Sequence, residues 1–126
     1  MFQTGDAALD SLLETARHKF LNRSTDVRRE ALEKLWDAWE RLKTLEPGKD
    51  KKASTAALLD KVSSEPVFRE CLEHEATRLT EIGNTFMIRH TEMNKVPIVE
   101  SSQIDYLFSR MFALIRLVLK TTGRGG

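Results

Sequence analysis

Cysteine is almost absent from this chain: Cys71 stands alone among 126 residues. An intrachain disulfide and any cysteine-rich zinc site are thereby excluded. Charge of one sign is absent too, since twenty basic residues face nineteen acidic ones for a net +1. No global field draws in nucleic acid or anionic membrane, so any polyanion site has to be local. No uninterrupted apolar run reaches the about 18 residues of a membrane span. The opening MFQTGDAALD lacks the basic and apolar regions of a signal peptide, and the cytoplasm is the expected location. Missing as well are a Gly-rich phosphate loop, an HExxH helix, an EF-hand loop and a Gly-x-Ser-x-Gly elbow. His18, His74 and His90 show no paired ligand spacing, so neither a metal nor a cofactor is expected.

What is present is helix pattern. A composition of 40% hydrophobic and 31% charged residues suits a charge-laced helical protein, and the length suits a single domain over residues 1–126. Ala8, Leu9, Leu12, Leu13, Ala16 and Phe20 recur at spacings of three and four, predicting a first helix over 6–21. A second runs from the cap oxygens of Thr25 and Asp26 to about Leu45, where Pro47-Gly48 halts it. Its stripe of Ala31, Leu35, Ala38, Leu42 and Leu45 is widened by Leu32, Trp36 and Trp39, read as core anchors. The opposite face carries Arg29–Glu33, Glu30–Lys34 and Asp37–Arg41 at ion-pair spacing. Such pairs add only about 0.2–0.5 kcal/mol each, so burial has to hold the helix.

PGKDKK (47–52) reads as a solvated basic turn, followed by a short third helix over about 54–62. Pro66 opens a fourth helix. It faces Phe68, Leu72, Ala76, Leu79 and Ile82 inward, keeps Cys71 as a small core residue, and stops at Gly83-Asn84. The last helix spans about 102–120, with Ser102 and Asp105 at capping-box spacing. Apolar residues from Ile104 to Leu119 nearly encircle it, which predicts a helix central to the bundle and shared with a second copy. TTGRGG, at about 121–126, is expected as a flexible tail. The fold class is all-α, a bundle of four to five helices.

Between the last two helices lies Gly83 to Ser101, GNTFMIRHTEMNKVPIVES, without helix periodicity. Most connections in compact domains run about 4–6 residues, so this loop is a candidate site. It gathers Asn84, Arg89, His90, Glu92 and Lys95. Arginine forks onto phosphate and histidine moves protons near neutral pH, a pair suited to attack of a 2′-hydroxyl on an RNA phosphodiester. The plainer assignment pairs Arg89 with Glu92 and lets His90 cap the loop.

LWDAWERLKT in the second helix, LTEIGNTFMIRHTE entering the loop and DYLFSRMFALIRLVL at the close carry a resemblance. Over about residues 25–120 the chain resembles a C-terminal helical module of bacterial abortive-infection proteins, within or close to the HEPN superfamily. That resemblance implies a four-helix-type bundle, homodimers and, in active members, metal-independent RNA cleavage. The active pattern is Arg, a polar residue, then His after four to six intervening positions. Arg89 is followed by His90, but positions 94–96 hold Asn94, Lys95 and Val96, so the second histidine is missing. Arg69 and His74 match the spacing literally, as about one chance pair is expected to, and five helical positions turn them apart. Two readings follow. One is a non-catalytic or weakly active dimerisation or partner-binding module, homodimeric through the last helix and serving a protein partner or fused catalytic domain. The other is an endoribonuclease in which Arg89 grips the phosphate and His90 moves protons, with Lys95 adding charge and Asn84 and Glu92 ordering the binding loop.

Overall fold

The computed structural model describes residues 1–86, 88 and 96–125. Five helices and no strand occur among them: α1 Ala7–Phe20, α2 Thr25–Leu42, α3 Lys51–Val62, α4 Pro66–Thr85 and α5 Ser101–Thr121. The chain is an all-α bundle.

Local chemistry sets the helix starts. Asp6 caps α1 by accepting the Leu9 N–H at 2.9 Å, and Asp50 caps α3 by accepting from Ala53 at 2.8 Å. Asp50 thus starts α3 three residues earlier than its apolar pattern does, and half of PGKDKK becomes cap and first turn. Ser24, rather than Thr25 or Asp26, caps α2. Each such cap stabilises its helix by about 1 kcal/mol.

Burial then orders the helices. Leu9, Leu13 and Ala16 of α1 meet the wide face of α2, where Trp36, Trp39, Leu32, Leu35 and Leu42 are all closed to solvent. Burying each such side chain contributes about 1.5–3 kcal/mol, well above any surface ion pair. α1 and α2 are antiparallel, because Lys19 at the end of α1 pairs with Glu30 at 2.7 Å while Asp6 at its start pairs with Arg41. Glu30 and Arg41 of α2 thus reach across to α1, while Lys34, at helical spacing, also acts on Glu30. α5 lies in the core through Ile104, Leu107, Met111, Leu114, Ile115 and Val118. Phe20, Phe108, Phe112 and Phe2 form a ring-to-ring series along α1 and α5, with Phe20 stacked on Phe108 at 3.9 Å.

α4 departs from expectation at its end. Gly83 is not a stop; it is a buried helical residue, and α4 continues through Asn84 to Thr85. A Cβ at Gly83 would stand 2.5 Å from the Trp36 ring. One turn earlier, the Leu79 carbonyl accepts the Trp36 Nε1–H at 2.8 Å. Glycine is needed there for helix–helix approach. At the other end of α4, Phe68 is 48% exposed, and Cys71 is exposed rather than in the core.

α5 differs at both ends. Glu100 occupies its N-cap without a side-chain bond. Ser101 and Asp105 are drawn instead to the guanidinium of Arg28, which also donates to the Phe20 carbonyl at 3.2 Å. That single arginine ties α1, α2 and α5. At the far end Gly123 takes a left-handed φ of +78°, and the Arg124 N–H reaches back to the Leu119 carbonyl at 2.8 Å. This is a Schellman closure. Arg124 Nη1 then donates to the Thr4 carbonyl at 2.8 Å. Residues read as a tail thus carry a helix cap and a tether to the first segment.

Candidate functional site

The loop between α4 and α5 is closed at its neck. The Val96 N–H donates to the Thr85 carbonyl at 3.1 Å, and the Ile88 N–H donates to the Gly83 carbonyl at 3.2 Å. Ile88 and Ile98 are buried, one on each side of the neck, and pin it to the bundle. Phe86, Ile88, Pro97 and Ile98 face Arg29, Glu30 and Glu33 of α2 across a cleft of about 330 Å³. The polar wall of this cleft is mixed in sign. Arg29 holds Asp26 at 3.2 Å, and Glu30 holds Lys19. The Lys19 ammonium keeps the Glu30 carboxyl below the usual carboxylate range.

Of the residues proposed from sequence, Asn84 lies exposed in the last turn of α4. Arg89, His90, Glu92 and Lys95 lie outside the described residues. The literal Arg69/His74 spacing assembles no site. Arg69 directs its fork to Asp60 at 2.9 Å and Glu73 at 3.0 Å, while the largely exposed His74 stands 4.0 Å from Glu70. No group of three histidine, cysteine, aspartate or glutamate side chains with metal-binding placement occurs among the described residues.

The strongest electrostatic features elsewhere join helices. Arg41 grips Asp6 with two bonds of 2.7 and 2.9 Å. Those bonds lower the Asp6 pKa to about 2, against a smaller opposing effect of burial. Glu40 is raised by burial, but bonds from Lys43 and Lys51 outweigh this and leave it below its ordinary value. Glu75 is lowered by a two-bond contact with Arg110 of α5.

One cluster escaped the sequence reading. Arg116, Lys120 and Arg124, with Phe2, Phe112 and Leu119, line a cleft of about 310 Å³ between the first segment and the end of α5. Part of its signal was available: the cations at 116 and 120 share one helical face, whereas Arg124 is brought in only by the turn after α5. The first segment's part was not, because it depends on Phe2 folding back.

Comparison with known proteins returns no matching family model, curated protein or solved structure. No helix among the described residues is long and apolar enough to cross a membrane.

Proposed function

We infer that the chain is a HEPN-like module of a prokaryotic defence protein, of the abortive-infection or toxin type. On this reading it acts by self-association or partner binding, without strong catalysis of its own. The family part of the reading rests on the sequence resemblance; the observation that supports self-association is the outer face of α5. With its core face filled, the helix still presents Tyr106, Ser109 and Ala113 outward, followed by half-buried Leu117. Small residues beside an exposed tyrosine allow close helix approach and supply an anchor. A second copy packing on this strip forms the homodimer; a protein partner or fused catalytic domain is the other occupant of the same face.

Phe112 is a poor probe of that face, because it packs on Phe2 and Phe108. Ala113→Glu leaves the core untouched and places a charge in the middle of the strip. Light scattering of the purified chain is expected to give a dimer, and the Ala113→Glu variant a monomer with unchanged helical circular dichroism. A parent chain that is monomeric at all concentrations overturns self-association.

The second reading is a metal-independent endoribonuclease. It is favoured by the pinned neck, which fixes both ends of the segment whose sequence contains Arg89 and His90. Labelled RNA incubated in EDTA should then be cut by the parent and spared by the Arg89→Ala/His90→Ala variant. Intact RNA in both reactions retires catalysis by this chain.

A further inference from the structure

We propose that the cleft between the first segment and the end of α5 binds a small amphiphilic anion, a carboxylate or phosphate monoester bearing a short apolar tail. Three observations converge on that chemistry, independently of the α5 outer face. The first is a local surplus of positive charge. Arg116, Lys120 and Arg124 line the cleft, with no carboxylate among its described lining residues; Arg124 is partly offset by Asp6, whose pKa its charge helps to lower. The side chains of Arg116 and Lys120 have no hydrogen-bond or ion-pair partner among the described residues. Lys120 alone is accounted for by its place in the last turn of α5, where the helix dipole favours a cation. Arg116, a turn earlier, is not. Glu14, on the α1 side, is engaged by the Phe2 N–H at 2.8 Å and by Arg17 at 3.4 Å.

The second observation is an apolar floor beside the charges. Leu119 is buried, and half-buried Phe2 and Phe112 meet edge to face with ring centroids 6.3 Å apart. A purely inorganic anion gains nothing from these rings, whereas a hydrocarbon tail does. The third observation is preorganisation. Arg124 is fixed by its bond to the Thr4 carbonyl, and Thr4 in turn is buried and donates twice to Asp10 Oδ1, at 2.6 and 2.9 Å. Little ordering remains to be done when a ligand arrives. The volume lies at the small end of the range of about 300–1,000 Å³ for small-molecule sites, which suits a ligand of about a dozen non-hydrogen atoms.

Calorimetric titration with octanoate and with octyl phosphate, below their micelle concentrations, tests the assignment. Octanol, acetate and inorganic phosphate serve as half-ligands. Both octyl anions, or one of them, should bind at least tenfold tighter than any half-ligand, and the preferred head group names the source. Amide shifts should concentrate in residues 1–3 and 112–125. The exposed double substitution Arg116→Ala/Lys120→Ala should weaken binding at least tenfold with an unchanged melting curve, and Phe2→Ala should weaken it through the floor. Octanol binding as well as octanoate reduces the cleft to an apolar patch and overturns the proposal. So does inorganic phosphate binding as tightly as octyl phosphate, a double variant that binds normally, or shifts located elsewhere.

Discussion

A Cβ added at Gly83 would enter the Trp36 ring at 2.5 Å, a separation that carbon atoms do not sustain. Trp36 cannot step aside freely, since its Nε1–H is bonded to the Leu79 carbonyl one turn away. Gly83→Ala raises helix propensity by about 1 kcal/mol, yet overpacking a closed core costs about 1–3 kcal/mol. We expect a net loss of about 1 kcal/mol, read as a lower midpoint in urea. A midpoint equal to the parent's would mean that the indole shifts without losing its bond. Gly83 also marks where a sequence stops being readable. A glycine before Asn84 and Thr85 has the local look of a helix end, and its partner belongs to another helix. Phe68 and Cys71 fail similarly. Both sit near the apolar stripe of α4, but the bundle does not reach round to cover them. Leu72, Ala76, Leu79 and Ile82, one turn apart on the stripe's centre, were legible because period alone determines them.

At the scale of elements, α1 and α2 are fastened at one end by Asp6, which caps the first and pairs with the second. Its folded pKa of about 2 lies below the ordinary range of an aspartate. A carboxyl depressed by folding binds its proton more readily when unfolded, so its contribution is full above pH of about 4 and is lost as pH falls towards 2. Part of the acid sensitivity of the fold should therefore reside in Asp6. Asp6→Asn should be less stable than the parent at pH 7, with the difference shrinking as pH falls from about 4 to 2, in denaturant titrations at each pH. A constant difference across that range places the acid response elsewhere. Helix ends were less legible than helix faces for the same reason that Asp6 matters. Asp105 satisfies a capping-box spacing, yet Arg28 of α2 claims it. A cation on another element outweighs a local N–H, and spacing along the chain does not reveal it. In the candidate loop the sequence showed length and residue types, and the structure adds the neck: Thr85 to Val96, with Ile88 and Ile98 buried at its base.

For the whole molecule, the apolar girdle of α5 has two destinations if the proposed dimer forms. Most of it lies in this chain's own core, through eight buried residues from Ile104 to Leu119. Only the narrow outer strip around Ala113 remains for a second copy. Self-association through so narrow a strip is expected to be concentration-dependent, with the melting temperature of the parent rising as protein is added. The Ala113→Glu chain should melt at one temperature throughout. A parent whose melting ignores concentration would leave that strip to a different partner.

The bond from Arg124 to the Thr4 carbonyl has a topological consequence. The two ends of the path meet side by side, so the backbone is a ring lacking one short closure. Joining residue 125 to residue 1 through a few glycines and opening the exposed turn between Asn22 and Arg23 should preserve the same packed object. Such a permutant should keep the parent's helical circular dichroism and cooperative melt; a molten product would show that α1 and α2 must be joined directly. Either way, Met1 and Gly125 border one and the same cleft.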